Sequence, residues 1–177
     1  NLTISALIVV GGVGFLTWDD VRTNRLCFHR YRLQSKFILA ATALLILLPT
    51  LYFFCFEFKG GTLRERLLLS LFQSVTPRTA GFNTADYTSL SSSGRGLTIL
   101  LMFIGGSPGS TAGGIKTTTA AVLVANAFAV FRRQKSPEMF GRRMEEKAVH
   151  DAAAIFTLYL VLSLTGAFVI STVAVSY

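Results

Sequence analysis

Charged residues are scarce in this sequence, and acidic residues are the scarcest. Only 15% of its 177 residues are charged, whereas about a quarter of the residues in soluble domains are charged. The sequence has 9 acidic residues (Asp and Glu) and 17 basic residues (Lys and Arg). This composition, with a mean hydropathy of +0.54, excludes an ordinary water-soluble globule. The 15 Phe and the long aliphatic runs exclude a disordered chain. The formal net charge is +8, which is typical of a membrane protein with basic cytoplasmic loops.

Cysteine and histidine are also nearly missing, and their scarcity excludes several kinds of site. Cys27 lies in a basic loop and Cys55 in an apolar segment, so no disulfide framework is expected. His29 and His150 both lie in basic loops, and neither belongs to a Cys/His/Asp cluster at ligand spacing, so we expect neither a metal site nor a cofactor. No catalytic triad or carboxylate pair is visible either, so we expect no enzyme. Basic loops beside apolar spans are typical of topology determinants or of contacts with anionic lipid, and not of nucleic-acid binding.

Uncharged stretches predict an all-α integral membrane fold. Segment 37–58 has its only charge near its end, and about 22 residues suit one crossing of the bilayer. Segment 97–131 lacks acids, and segment 152–177 lacks charge altogether. Segment 1–18 has an apolar run of only about 14 residues, from Leu2 to Phe15, which is short for a crossing. We expect it to be the end of a helix that begins before this sequence.

The basic residues predict which side of the membrane each loop faces. Most of them lie in loops 19–36 and 132–151, which the positive-inside rule places in the cytoplasm. Two crossings must lie between these loops, so segment 59–96 is expected to face outward. The predicted unit is a helix, an outward re-entrant pore loop and a second helix.

Segment 63–75 predicts a half-length helix within that pore loop. As a helix it would span about 20 Å, too little for a hydrocarbon core of about 30 Å. Pro77 cannot continue the helix, and a glycine-containing segment follows at 76–84. A pore helix would direct its negative C-terminal end at the cavity and favour a cation there. The alternative is an extracellular surface helix followed by a turn.

The sequence TAGFN at 79–83 aligns with the TVGYG filter of potassium channels, with Asn in place of the second glycine. Successive carbonyls point the same way only if alternate residues enter the left-handed backbone region, which Gly and Asn tolerate. The candidate K+-binding residues are therefore Thr79, Ala80, Gly81, Phe82 and Asn83.

Small and helix-breaking residues interrupt segment 97–131 and predict two half-helices around an intramembrane loop. Such backbone survives at membrane depth only when it packs in protein or lines a wet cavity. We interpret the loop as a mobile barrier, or gate, in the ion pathway. The gate residues are Gly105, Gly106, Ser107, Pro108, Gly109, Ser110, Thr111, Ala112, Gly113, Gly114 and Lys116.

Two alternatives to a gate remain for this loop. Its small residues, four apart, also suit a helix–helix contact. A nucleotide-binding P-loop fits poorly, because Ile115 separates the glycines from Lys116 and no strand precedes them. The Lys116 ammonium either lies near permeating ions or extends toward the cytoplasm.

Two motifs resemble one family. SVTPRTAGFNT at 74–84 and MFIGGSPGSTAGGIKTTT at 102–119 resemble the third filter and third broken helix of the Trk/Ktr/HKT cation transporters. Their sequences are most similar to those of the bacterial KtrB-type membrane subunit. VGGVGF at 10–15 resembles the glycine-rich end of that family's second repeat.

The resemblance implies K+ uptake, with or without Na+ dependence, through a pore of four helix–pore-loop–helix repeats. Segment 1–18 would end the inner helix of the second repeat, 37–131 would be the third repeat, and 152–177 would begin the fourth. The chain is then an internal fragment that holds one of four filter strands. An alternative function is a secondary transporter of another cation or solute with broken helices at the midplane, which predicts inverted repeats instead.

The resemblance also implies partners and a location. The remaining repeats of the same subunit would complete the pore, and two subunits would form a homodimer. A cytoplasmic ring of RCK-type nucleotide-binding subunits would lie on the side of loops 19–36 and 132–151. The expected location is the bacterial inner membrane, as a multi-pass protein in contact with the lipid bilayer. The sequence leaves the Na+ coupling and the regulating nucleotide open.

Overall fold

Helices dominate the computed structural model of the chain. It describes residues 2–25, 27–78, 80–82, 86–133, 138–139 and 142–175. The chain divides into two units, Asn1–Thr118 and Thr119–Tyr177. The predicted helical class is therefore confirmed. The exception among the described residues is a pair of two-residue antiparallel strands, β1 (Glu138–Met139) and β2 (Arg142–Arg143).

Seven α-helices lie within the described part of the chain. They are α1 (Leu2–Val13), α2 (Phe15–Asn24), α3 (Leu33–Tyr52), α4 (Leu63–Val75), α5 (Ser92–Phe103), α6 (Thr117–Phe131) and α7 (Glu146–Val175). Helix α3 continues into a π-helical turn at Phe53–Glu57. Short 3-10 turns cover Phe28–Arg30, Thr76–Arg78 and Tyr87–Ser89.

Helix length separates the helices that are long enough to cross a membrane from those that are not. The stretches Leu33–Glu57 (25 residues) and Glu146–Val173 (28 residues) are long and apolar enough to cross a membrane. Helices α1 and α2 form a third such stretch only if they count as one, and they meet at an angle of 92°. Helices α4, α5 and α6 have 13, 12 and 15 residues. Each is too short to cross alone, because a crossing needs about 20 residues.

The first loop differs from the prediction, because helices enter it from both ends. We expected a loop over 19–36, but α2 continues to Asn24 and α3 begins at Leu33. Asp20 on α2 is buried, and its carboxylate accepts hydrogen bonds from the Arg32 N–H (3.1 Å) and the Ser35 hydroxyl (2.5 Å). This carboxylate satisfies a free donor at the start of α3, which explains the earlier beginning of that helix.

Two later helices also begin before the predicted positions. Helix α5 begins at Ser92 and not at 97, because Ser91 caps it by accepting the Gly94 N–H at 3.0 Å. The Glu57 carboxylate in turn accepts the Ser91 N–H at 3.1 Å and the Ser91 hydroxyl. Helix α7 begins at Glu146 and not at 152. The prediction counted only uncharged residues, whereas the first turns of α7 carry charges. An uncharged stretch therefore shows the apolar part of a helix but not where the helix begins.

The core of the first unit lies around α4, which packs against α1, α3 and α5. The N-terminal half of α4 is largely exposed and its C-terminal half is buried. Burial continues through the 3-10 turn that follows. The buried residues of this stretch are Ser70, Phe72, Gln73, Ser74, Val75, Thr76, Pro77 and Arg78. The end of a short helix is thus buried inside the unit, whose other buried side chains include Ile38, Phe53 and Leu101.

Candidate functional site

The first turn of α4 is fastened to the end of the preceding helix. Thr62 and Glu65 form a capping box, with N–H to oxygen distances of 2.9 and 3.3 Å. Hydrogen bonds from the Thr62 backbone and side chain hold the pKa of Glu65 below its usual value. Arg66 donates through Nε to the Phe58 carbonyl (2.5 Å) and through Nη2 to the Phe54 carbonyl (2.9 Å). The position of α4 is therefore fixed at its N-terminal end.

The chain beyond α4 folds back onto Thr76. The N–H groups of Ala80 and Gly81 both donate to the Thr76 carbonyl oxygen at 3.1 Å. The Thr76 hydroxyl donates to the Phe82 carbonyl oxygen at 2.7 Å. Gly81 has a φ of +68°, in the left-handed region, and an added Cβ would meet nothing within 4 Å. Backbone conformation, and not space, is what requires glycine at this position.

Three of the five candidate K+-binding residues lie in the described part of the chain. They are Ala80, Gly81 and Phe82, while Thr79 and Asn83 lie outside the described residues. The described three are brought together around Thr76, but the Phe82 carbonyl already accepts one hydrogen bond. A carbonyl oxygen has two lone pairs, so this bond leaves room for a second partner. The ion-binding role of all five stays a prediction.

Backbone hydrogen bonds close the neck of the loop 105–116, where its two ends meet. Ile104 and Ile115 form a parallel bridge. The Gly105 N–H donates to Ile115 (2.9 Å), the Ile115 N–H to Phe103 (3.1 Å), and the Thr117 N–H to Gly106 (3.1 Å). Because the two sides run parallel, the chain leaves the loop in the direction in which it entered. This geometry is that of an interrupted helix and not of a hairpin.

The tip of the loop is a turn held by serine hydroxyls. The Ser110 N–H and hydroxyl both donate to the Ser107 carbonyl, at 3.1 and 2.6 Å. The hydroxyls of Ser107 and Thr117 lie 3.1 Å apart, both buried. The Lys116 ammonium donates to the Ala112 carbonyl at 2.7 Å, so this lysine stabilises the loop itself. The predicted gate residues therefore form one connected structure.

The glycine-rich bend between α1 and α2 is in contact with this tip. The Ser107 N–H donates to the Gly12 carbonyl at 2.9 Å, and the Phe15 N–H donates to the Gly109 carbonyl at 3.3 Å. Gly14 has a φ of +87°, and a Cβ on it would lie 2.6 Å from the Pro108 carbonyl oxygen. The backbone of residues 12–15 thus forms the surface against which the tip of the loop lies, and we call these residues the seat of the loop.

Arg78 is a buried cation between residues 80–82 and the loop. Its side chain is 8% exposed, and its Nη2 donates to the Gly105 carbonyl at 3.3 Å. Its Nε has no hydrogen-bond partner within the described residues. Among the described residues, an ion pair joins Arg32 and Asp20, and Arg78 is not part of it. A small cavity beside Arg78 is lined by Ile8, Val9, Gly12, Thr42, Val75 and Gly106.

Sequence reasoning missed two features of this site. Arg78 carries the only charge of the motif SVTPRTAGFNT, and that isolated charge was the available signal for it. The seat at Gly12–Phe15 was visible only as a glycine-rich segment, and its contact with the loop joins residues about 95 positions apart in the sequence. Both features depend on long-range packing.

Backbone carbonyls and hydroxyls provide the chemistry of the site. Such neutral oxygens suit desolvated alkali cations, as in K+ filters. Among the described residues, no group of three or more His, Cys, Asp or Glu side chains is placed to hold a metal ion.

Sequence comparison places the whole chain beside cation transporters. The profile of the TrkH family, described as cation transport protein, matches residues 1–177. The chain is 42% identical to the potassium/sodium uptake protein NtpJ of Enterococcus hirae over 96% of its length and 39% of NtpJ. It is 37% identical to the Ktr system potassium uptake protein B of Bacillus subtilis, over 97% of the chain and 40% of that protein. The protein of the same name from Vibrio alginolyticus is 33% identical over 96% of the chain and 39% of that protein.

Proposed function

The chain belongs to the TrkH family of cation transport proteins, and from this premise we propose that it supplies one selectivity-filter strand to a K+-conducting pore. The apolar helices and the family identify it as part of a membrane protein. The filter strand would be 79–83, with α4 as its pore helix and the intramembrane loop 105–116 as the gate. Potassium uptake is the activity named for several relatives, and sodium is named with it for NtpJ.

One observation carries this proposal, namely the burial of the end of α4 together with the backbone that follows it. A surface helix would bury one stripe along its whole length. Helix α4 instead buries its C-terminal half, and Gly81 enters the left-handed region just beyond it. Its aligned peptide dipoles place partial negative charge at that buried end, which favours a cation.

The chain spans about two-fifths of the length of the curated relatives it matches. We therefore propose that 37–131 is one of four repeats, and that the other three complete the pore. Loops 19–36 and 132–151 would face the cytoplasm of a bacterial inner membrane, where a ring of RCK-type subunits would bind a homodimer. In this arrangement K+ moves down its electrochemical gradient, with or without Na+ coupling.

Replacement of Gly81 by Ser tests the filter assignment. A Cβ makes the left-handed conformation less favourable by about 1–2 kcal/mol, so the strand should relax and its carbonyls should turn from the ion. In proteoliposomes of a complete subunit that contains residues 1–177, we expect the K+/Na+ flux ratio to fall by about tenfold. Gly96→Ser is the matched control, because Gly96 lies in α5 with open space around it. A Gly81→Ser protein that folds and keeps the wild-type flux ratio would contradict the assignment.

A further inference from the structure

We propose that Arg78 is a positioning residue that holds the intramembrane loop in place through the Gly105 carbonyl. The inference rests on the proposed function of that loop as a barrier to ions. It assigns a role to a charge that neither the filter nor the gate has so far used.

Burial of the charged Arg78 side chain is unfavourable in free energy. A guanidinium group has five N–H donors, and burial of a charge is unfavourable unless the group is paired and hydrogen-bonded. Here the described contacts are one hydrogen bond to Gly105, with Nε left without a described partner. An apolar side chain of similar volume would occupy this position at a lower cost. The charge is therefore poorly explained as a stabiliser of the fold.

Gly105 lies at the neck of the loop, where the two sides of the loop meet. Gly105 is the first residue of the loop, and its N–H holds the returning side of the neck through Ile115. A Cβ at Gly105 would lie 1.6 Å from the Gly113 carbonyl oxygen, so the two sides of the neck are in direct backbone contact. A force on the Gly105 carbonyl is thus transmitted to both sides of the loop. Arg78 therefore binds the loop at its neck.

Arg78 and Thr76 belong to the same short 3-10 turn. Thr76 binds the backbone of the filter segment through its carbonyl and its hydroxyl, while Arg78 binds the loop. One short turn therefore holds the filter strand with one residue and the barrier with another. A movement of the loop away from the filter has to break the bond between Arg78 and Gly105.

A double-mutant cycle tests this role in the complete subunit. The variants are Arg78→Gln, deletion of residues 109–113, and the two combined, with K+ flux into proteoliposomes measured without any regulatory subunit. The deletion alone tests the barrier, and unchanged flux in that variant would overturn the proposed gate and this inference with it. Arg95→Gln is the charge-matched control, since Arg95 is exposed on α5.

The expected pattern separates a positioning role from a purely electrostatic one. With the loop intact, Arg78→Gln should raise flux by about tenfold, the factor for the loss of one charge-assisted hydrogen bond. In the deletion background the same substitution should add nothing. An equal increase in both backgrounds would show that the charge of Arg78 repels cations directly, and this would overturn the inference while leaving the barrier proposal intact.

Arg78→Lys carries the test if Arg78→Gln does not fold. Lysine keeps the buried charge but is a shorter, single-point donor. A positioning role predicts a partial rise in flux for this variant with the loop intact. Flux equal to that of the wild type would contradict it, because charge alone would then be sufficient.

Discussion

Gly14 shows how a single position controls the meeting of distant segments. Its φ of +87° is unfavourable for any residue with a Cβ, and that Cβ would lie 2.6 Å from the Pro108 carbonyl oxygen. The neighbouring Phe15 N–H donates to the Gly109 carbonyl. Glycine at position 14 therefore permits both the 92° bend between α1 and α2 and the contact with the loop.

We expect Gly14→Ala to lower the free energy of unfolding by about 2–4 kcal/mol, through backbone strain and overpacking together. Thermal unfolding of the purified complete subunit measures the change. Gly12→Ala is the matched control, because Gly12 lies in α1 and an added Cβ there meets nothing within 4 Å. Equal melting temperatures for the two variants would mean that the bend does not depend on Gly14.

Sequence reasoning at the scale of residues found the glycines but not their partners. The glycine of TAGFN was predicted from the spacing of permissive residues, and Gly81 has a φ of +68°. Arg78 was overlooked because its burial depends on α1 and on the loop, which are distant in sequence. A local motif reports backbone freedom, whereas burial of a charge is a property of the packed unit.

Arg66 fastens one element to another at the scale of helices. Its two hydrogen bonds to the Phe54 and Phe58 carbonyls join α4 to the end of the preceding helix. Its guanidinium also lies 4.7 Å from the centre of the Phe54 ring. These carbonyls belong to the π-turn and the residue after it, where the regular helical hydrogen bonds end.

We expect Arg66→Gln to destabilise the subunit by about 1.5–3 kcal/mol, because two carbonyls lose a charged donor. Arg64→Gln should change stability little, since Arg64 is exposed on the same helix. The two melting temperatures, measured in the same detergent, check the difference. If Arg64→Gln were as destabilising as Arg66→Gln, net charge and not the fastening would be responsible.

Helix boundaries were predictable where local chemistry sets them. Helix α4 covers the predicted interval 63–75, because Thr62 caps its start and Pro77 prevents its continuation. Helix α2 was not predicted, because the burial of Asp20 depends on Ser35 at the start of another helix. Its polar sequence was typical of a loop when considered alone.

At the scale of the whole molecule, composition and two motifs were sufficient to predict a helical membrane protein of the Trk/Ktr superfamily. The match of the TrkH family to residues 1–177 confirms that prediction. The arrangement of four repeats, the homodimer and the cytoplasmic ring stay proposals, because the described contacts all lie within one chain. The predicted filter and gate are likewise proposals that rest on the first unit.

The filter strand is the central claim, and Tl+ in place of K+ tests it most directly. Tl+ scatters X-rays anomalously, so crystals of a complete subunit grown with Tl+ would locate the permeating ion. We expect an anomalous peak on the pore axis, coordinated by the carbonyl oxygens of residues 79–82. Tl+ peaks elsewhere in the pore with none at this strand would contradict the assignment of TAGFN as part of the selectivity filter.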